Sequence, residues 1–400
     1  MTQQSPSSPH HTHQSSLESI IEFQTESPLS PGTRDQARHR FYYIADHFEA
    51  AAEDRDSGDD NGRNIGGGGS SGSPRYNRSR LIRLTYDHAR SPLSQDNFLQ
   101  AFFGSLELSM DGEEALDERI RAKFFGFADY LFDNFFLPHP SALASISFRH
   151  STITERVGFV GTPERISALR GACLIRDRHR RVVTRRFDSN EAVKRYESAG
   201  DNVRDDDGNL LDEEQPETFE PLEVAHILPH SLTRLGRSED LNPSKQAALA
   251  ILNMFDHGVG HLIKGVDIDR PRNALTLTHK MHDLFGNFRI YFEPVPGAEP
   301  HTYRIGSFLR PTFVGGLLPV TRTLFLTDSH TIDPTSPRLL AIHSAIARIL
   351  HLSAADNYID KILRDMEDAG EQGGGADGST ELGRLVHLGL LLNGVDAYVC

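Results

Sequence analysis

The sequence predicts an α+β fold, in which helices fill the first third of the chain and strands alternate with helices after residue 165. Three observations support this fold class. Apolar residues recur at helical spacing through residues 33–137, and again in the stretch "SPRLLAIHSAIARILHLS". In contrast, Phe288, Ile290 and Phe292 alternate with polar or half-polar residues, as they do in a strand. At 400 residues and 38% hydrophobic content, the chain is long enough for one main domain with a smaller domain or long appendages.

Changes in composition divide the chain into segments. The first residues are rich in Ser, Pro, Gln and His, which predicts disorder, and a Gly/Ser/Asp stretch predicts a linker within the helical region. We expect a disordered tail at 1–33, a helical N-terminal region at 34–140 with its linker at 54–75, a domain carrying the candidate chemistry at 160–300, a strand and helix extension of that core at 301–370, and a linker with a short terminal helix at 371–400.

The N-terminal helical region carries an aromatic stripe. In "ALDERIRAKFFGFADYLFDNFF" the apolar residues that share one helical face are Phe124, Phe127, Tyr130, Leu131 and Phe135. A stripe with this spacing is more often a packing surface than a cofactor site. We therefore expect it to dock on the rest of the chain or on a protein partner.

Several function classes are disfavoured by what the sequence lacks. Cys173 and Cys400 are its only cysteines, so neither a disulfide framework nor a CxxC zinc motif is available, and Cys173 is most simply a buried small hydrophobe. A P-loop motif is absent. The first residues do not resemble a signal peptide, and no apolar run approaches the roughly 18 residues of a membrane span. We expect an intracellular protein, nuclear or cytoplasmic, without a membrane partner.

Charge is unevenly distributed along the chain. The net charge of −14 argues against a polyanionic partner, yet residues 165–195 contain ten Lys or Arg against three Asp or Glu, and the acidic segment 201–220 follows. Two interpretations remain open: the two segments pair with each other or with water, or the basic one follows phosphates beside an acidic flap. The candidate nucleic-acid-binding residues are Arg176, Arg178, Arg180, Arg181, Arg185 and Arg186.

Three motifs carry candidate chemistry: "EVAHILP" with His226, "RPRNALTL" with Asn273, and "THKMHDLFG" with His279 and His282. Their local patterns place them on a strand end, a turn and a helix. A histidine can take a proton from water near neutral pH, and a divalent ion held by a second imidazole would polarise a phosphate. By residue type alone, the apolar neighbours of His226 are more typical of a packed core histidine.

The segments "CLIRD", "EVAHILPHSL" and "RPRNALTLTHKMHDLFGNFRIYFEP" resemble the HNH endonuclease family, most closely its branch of fungal proteins with an AHIxP…N…HxxF pattern. The resemblance covers roughly residues 165–300. It implies a ββα-metal core with inserted and flanking helices, in which His226 is the general base, Asn273 steadies the loop that holds the base, and His282 binds the metal. Phe285 matches a helix residue that packs on the hairpin, and His279 is a further candidate ligand.

The sequence departs from the family pattern at Ala225, where many members place an Asp or His that completes the metal site. One divalent ion (Mg, Mn, Ni or Zn) would then be held by His282 with help from Glu223, His279, Asp283 or water. The family's zinc-binding cysteine pairs are missing. The 47 residues from His226 to Asn273 also exceed a compact hairpin, so we expect an inserted helix such as 244–256.

Two functions of different classes follow from these motifs. The first is a metal-dependent endonuclease that hydrolyses phosphodiester bonds in DNA with little sequence preference, through a His general base and one divalent ion. The alternative is a catalytically inactive binding or regulatory module with the HNH fold, which uses its aromatic helical region to bind a protein. Divalent-metal affinity that depends on His282 discriminates between them. The oligomeric state is left open by the sequence.

Overall fold

The computed structural model describes residues 28–56, 76–137, 163–213, 219–229, 243–327 and 331–362. The predicted tail up to residue 27, most of the predicted linker at 54–75 and the predicted terminal segment 371–400 lie outside the described residues. The described residues form a mixture of helices and small sheets, so the α+β prediction is confirmed.

Helices make up most of the described elements. They are α1 (Pro31–Asp56), α2 (Arg78–Asp87), α3 (Pro92–Leu106), α4 (Glu118–Leu131, continued as a π-helix at Phe132–Phe136), α5 (Pro163–Arg176), α6 (Ser189–Ala199), α7 (Pro243–Phe255), α8 (His279–Gly286), α9 (Pro337–Leu352) and α10 (Ala355–Ile362). The strands are β1 (Leu222–His226), β2 (Ala274–Thr278), β3 (Ile290–Pro294), β4 (Thr302–Ser307) and β5 (Val320–Thr323). Two 3₁₀ turns, Gly265–Asp269 and Pro271–Asn273, precede β2.

Among the described helices, none alone has the length and apolar composition of a membrane span. The bent pair α9 and α10 passes the same test of length and composition when its two members are taken together. Core helices also pass that test.

The chain packs as two units. The first comprises Met1–Pro138, Leu235–Gly258 and Arg348–Cys400, and the second comprises His139–Arg234 and Val259–Ala347. The helix expected between β1 and β2 is present as α7, and it belongs to the first unit.

Aromatic side chains form the core of the first unit. The ring of Phe41 lies 5.0 Å from that of Phe102, and Phe98 lies 5.8 Å from Phe127. All five residues of the predicted aromatic stripe are buried. The stripe therefore packs within its own unit, which agrees with the expectation that it docks on the rest of the chain. Binding of a protein partner by the helical region stays a prediction.

The second unit is built around the antiparallel pair β1–β2, in which Leu222 faces Thr278 and His226 faces Ala274. Helix α8 begins directly after β2. Helix α5 packs on this pair through Leu169 and Cys173, which cluster with Ala274 and the half-buried Val224. Burial raises the pKa of the Cys173 thiol to about 12.

The pattern of "GACLIRDRHRRVVTRRFD" predicts a short strand, a turn and then another strand or the start of a helix. The strand predicted at "GACLIRD" is wrong. These residues are the last turns of α5, because Leu169 and Cys173 are four apart and share the face that packs on the sheet. The next predicted element, another strand or the start of a helix, is a turn closed by one bridge between Arg180 and Phe187, after which Asp188 caps α6.

A separate antiparallel sheet, ordered β3–β4–β5, follows α8. Phe285 of α8 is buried against this sheet, with its ring 5.8 Å from Phe292 of β3, and it stacks on His343 at 3.8 Å. These contacts fix α8, which carries three of the candidate site residues, against the rest of the second unit.

Candidate functional site

His226 ends β1, with about 20% of its side chain exposed. Its Nε2 lies 3.2 Å from Oδ1 of Asp269, the last residue of a 3₁₀ turn. The Asp269 side chain is only 4% exposed, and its Oδ2 accepts a hydrogen bond from Arg165 of α5 at 2.5 Å. A buried carboxylate is thus shared between one imidazole and one guanidinium.

The side chain of Asn273 hydrogen-bonds to the backbone near His226 and next to Asp269. This side chain is buried, and its Oδ1 accepts from the Leu228 amide at 2.9 Å. Its Nδ2 donates to the carbonyls of Leu228 and Ile268, at 2.8 and 3.0 Å, and its own carbonyl accepts from the Ile227 amide at 2.8 Å. One amide side chain therefore links the loop after β1 to the turn that ends in Asp269.

Glu223 of β1 brings the other two histidines together. Its Oε1 lies 3.0 Å from Nδ1 of His279, and its Oε2 lies 2.8 Å from Nδ1 of His282. The two histidines are three residues apart on α8 and so share a helix face. Although partial burial raises the pKa of Glu223, the hydrogen bonds from His282 and His279 hold it below its ordinary value.

The pleat of β1 explains this arrangement. Successive residues of a strand point to opposite faces, so Glu223 and Ala225, two positions apart, share one face of β1. Ala225 is buried and contributes no ligand. The family pattern places an additional ligand at position 225. Glu223 therefore supplies a carboxylate on the same face of β1, two residues before that position.

Asp283 does not join this cluster. It is exposed on α8, and its Oδ1 accepts from Nδ2 of Asn287 at 2.9 Å, near the end of the helix. Within the described ranges, no group of three or more His, Cys, Asp or Glu side chains is arranged to hold a metal ion.

A histidine at a strand end, an asparagine in a turn and a histidine on the following helix thus lie on one strand–strand–helix unit. Residues 203–293 match the family model of the HNH endonucleases. The predicted family is confirmed for this region, which covers less than a quarter of the chain and suggests nuclease activity in general. No curated protein and no solved structure matches the chain.

The HNH match includes His226, Asp269, Asn273 and His282, but it begins after the arginine segment. Of the six predicted nucleic-acid-binding arginines, two are buried. Arg176 binds Asp177 and the carbonyls of Pro271 and Ala274, while Arg181 binds Thr278 and Glu220. Their assignment to a phosphate surface is wrong, because both support the strand pair from inside.

The other four arginines have protein partners as well. Arg178 pairs with Asp207, Arg180 with Asp205 at 2.7 Å, and Arg186 with Glu220 at 3.5 Å. The Arg185 guanidinium lies 3.7 Å from the ring centroid of Phe325 and donates to the Thr323 carbonyl. The structure thus supports the interpretation in which the basic and acidic segments pair. Arg178 and Arg186 keep about a third of their side chains exposed.

Sequence reasoning missed Asp269 as the partner of His226, and Arg165 as the partner of Asp269. The only local signal for Asp269 was an acid beside Ile268, in the short segment before Asn273. Its partner His226 is 43 positions away, and Arg165 is 104 positions away. No periodicity connects residues at such separations, so the pairing emerges only from the fold.

Proposed function

We propose that this chain is a metal-dependent endonuclease that hydrolyses phosphodiester bonds in DNA, with His226 as the general base. The observation that supports it is the placement of His226, Asn273 and His282 on one strand–strand–helix unit within the region that matches the HNH endonucleases. We propose that this unit is the ββα core of the predicted fold.

In the proposed reaction, the oxygen of a water molecule forms a bond to phosphorus while His226 accepts the proton of that water. The bond from phosphorus to the 3′ oxygen breaks, and the leaving oxygen takes a proton from solvent. Asn273 contributes indirectly, because it holds the backbone of residues 227–228, directly after the base.

The donor chemistry around α8 fits a divalent ion. A carboxylate only accepts hydrogen bonds, so the Nδ1 atoms of His279 and His282 carry the protons that face Glu223, and Nε2 of His282 carries a lone pair that can coordinate an ion. Histidine ligands of metals commonly donate their other N–H to a carboxylate in this way. His282 would hold the ion through Nε2, with His279 as a second donor and Glu223 orienting both rings. A bound divalent ion would polarise the phosphate and stabilise the leaving oxygen.

DNA contacts in this proposal are made to phosphates by Arg178 and Arg186, whose side chains are about one-third exposed. Each would exchange its present carboxylate partner for a phosphate oxygen. Phosphate contacts carry no direct sequence information, so we propose little sequence preference.

The alternative, an inactive HNH-fold module, is favoured by one specific observation: Ala225 supplies no ligand, and the described residues contain no preformed three-ligand group. A chain that folds but binds no divalent ion would fit this alternative. Its binding surface could not be the aromatic stripe, whose rings are buried.

Nicking of supercoiled plasmid by the full chain tests the proposal, with Mg²⁺, Mn²⁺, Ni²⁺ or Zn²⁺ supplied one at a time. We expect metal-dependent nicking that is lost in His226→Ala and His282→Ala. Two variants serve as controls: Lys280→Ala, which changes an exposed residue on the same helix, and His39→Ala, which removes an exposed histidine from the other unit. Both should nick like the wild type.

Calorimetric titration with Mn²⁺ separates the two functions without relying on activity. The nuclease proposal expects binding that is lost in His282→Ala and retained in Lys280→Ala. Wild-type protein that neither binds any of the four ions nor nicks DNA, while remaining folded, would overturn the proposal in favour of the inactive module.

A further inference from the structure

The carboxylate of Asp269 links the turn that carries it to two other elements of the second unit. Its Oδ1 faces Nε2 of His226 at the end of β1, and its Oδ2 accepts from Arg165 of α5. It is almost fully buried, and the neighbouring Ile268 carbonyl is held by Asn273. Because Asn273 also holds Leu228, the same amide fixes the backbone beside both members of the His226–Asp269 pair.

The chemistry of this contact selects one form of the imidazole. An ionised carboxylate has no proton to donate, so the hydrogen bond between Asp269 and His226 requires the proton to sit on Nε2. In the neutral ring the lone pair is then on Nδ1. The opposite tautomer would set a lone pair against a buried anion, which is unfavourable.

We propose that Asp269 is a positioning residue that holds His226 in the Nε2–H tautomer, so that Nδ1 is the atom that accepts the proton of the attacking water. This inference deepens the proposed function and rests on it for the catalytic step. As the proton arrives on Nδ1 the ring becomes a cation, and the Asp269 carboxylate stabilises that charge without itself becoming protonated.

Arg165 has a defined part in this arrangement. Its guanidinium has only donors, so it must face an oxygen of residue 269. With aspartate, both oxygens are acceptors and His226 meets one of them. With Asp269→Asn, the single oxygen is claimed by Arg165, and the NH₂ group is left facing Nε2 of His226. That geometry forces the proton of His226 onto Nδ1.

A purely structural interpretation is that Asp269 and Arg165 form an ion pair whose only role is to link α5 to the turn before β2. Such a pair would affect stability when broken, but it would not determine which nitrogen of His226 is protonated. The tautomer is therefore the readout that separates positioning from simple structural support.

The experiment is ¹⁵N NMR of the histidine side chains in the full chain, above the ordinary imidazole pKa. The signals of His226 are assigned among the 20 histidines by their absence from His226→Ala. We expect Nε2–H in the wild type, Nδ1–H in Asp269→Asn, and unchanged Nε2–H in Arg165→Met, where aspartate still accepts. Nicking should fall roughly 10²–10⁴-fold in Asp269→Asn and much less in Arg165→Met.

The wild-type spectrum alone decides the matter if Asp269→Asn does not fold, because a His226 protonated on Nδ1 overturns the inference. An unchanged tautomer and unchanged nicking in a folded Asp269→Asn overturn it as well, while leaving the nuclease proposal intact. Conversely, the predicted tautomer switch in a chain that never cleaves DNA supports the positioning contact and rejects the nuclease function.

Discussion

The second unit contains two sets of basic side chains, the arginines of the basic segment 165–195 and the histidines of the candidate site. The two sets differ in their burial and in the groups to which they are bonded. Arg176 and Arg181 are buried, with each guanidinium bonded to a carboxylate and to further oxygens of the protein. The side chains of His279 and His282 are 63% and 41% exposed, and each bonds to Glu223 through Nδ1. The two buried arginines serve the fold, whereas the two histidines lie where a ligand can reach them.

The difference follows from the two side-chain types. Arginine has five N–H donors in a planar fork and is always charged, so a buried arginine needs several acceptors and becomes a structural crosslink. A neutral imidazole has one donor and one acceptor on opposite sides of the ring. A single carboxylate therefore orients it fully. Counts of positive charge cannot distinguish these two uses.

Replacing Arg176 should give the largest effect on the arginine side of this comparison. Arg176→Leu leaves Asp177 as a buried, unpaired anion and removes donors from the carbonyls of Pro271 and Ala274. We expect a loss of about 3–5 kcal/mol in the free energy of unfolding, measured by urea denaturation. The double variant Arg176→Leu/Asp177→Leu should recover much of that loss. A near-neutral single variant would contradict the structural role given to this arginine.

Asn273 is the one site residue expected to behave like the arginines. Asn273→Ala removes three side-chain hydrogen bonds from buried backbone groups, which corresponds to about 3 kcal/mol at roughly 1 kcal/mol each. The loss should appear in urea denaturation. Lys280→Ala on α8 is the matched control and should change stability by less than about 0.5 kcal/mol. If Asn273→Ala lost nicking activity but kept full stability, Asn273 would act in the reaction, as the histidines are proposed to do, and would not be a support of the fold.

His343 is a histidine that is buried and serves the fold, as Arg176 and Arg181 do. It is fully buried, it donates from Nε2 to the Phe285 carbonyl at 3.0 Å, and burial lowers its pKa to about 3. The unfolded chain takes up this proton near the ordinary imidazole pKa and the folded chain does not. Stability is therefore complete above that pKa and is lost as the pH falls toward about 3.

From these pKa values, His343 should account for a loss of about 2 kcal/mol between neutrality and roughly pH 5. His343→Gln keeps a donor for the Phe285 carbonyl and removes the titration. Thermal melts over this pH range should show a smaller decrease in stability for the variant than for the wild type. Parallel pH profiles would show that His343 is not the residue responsible.

The sequence predicted the parts of the site that are local, and it failed where contacts are distant. The order of β1, the turn at Asn273, β2 and α8 follows from short patterns in "EVAHILP" and "RNALTLTHKMHDLF", together with the family resemblance. Helix α5 was mistaken for a strand, because its apolar face became evident only against Val224 and Ala274. The Asp269–His226 pair could not be predicted, since neither residue's local pattern identifies its partner.

On the histidine side, Glu223→Gln should weaken metal binding more than it weakens the fold. A glutamine oxygen can accept from only one of the two imidazoles, so the orientation of His279 or His282 is lost. We expect roughly 10–100-fold weaker Mn²⁺ binding by calorimetry, with a stability change below about 1 kcal/mol. Glu293→Gln makes the same charge change at an exposed position on β3 and should leave binding intact. Equal binding in both variants would remove Glu223 from the metal centre.

The smallest effect on stability is expected for Arg178. This arginine belongs to the basic segment, and in the proposed function it binds a phosphate of the DNA that the histidine site cleaves. Its pair with Asp207 is partly exposed, so Arg178→Ala should change stability by less than about 1 kcal/mol. If Arg178 exchanges Asp207 for a DNA phosphate, the slope of log affinity for duplex DNA against log salt should decrease by about 0.9. Fluorescence anisotropy over a salt series measures that slope. An unchanged slope would place Arg178 with the buried arginines, as a residue used by the fold alone, and would leave Arg186 as the one phosphate contact proposed in this segment.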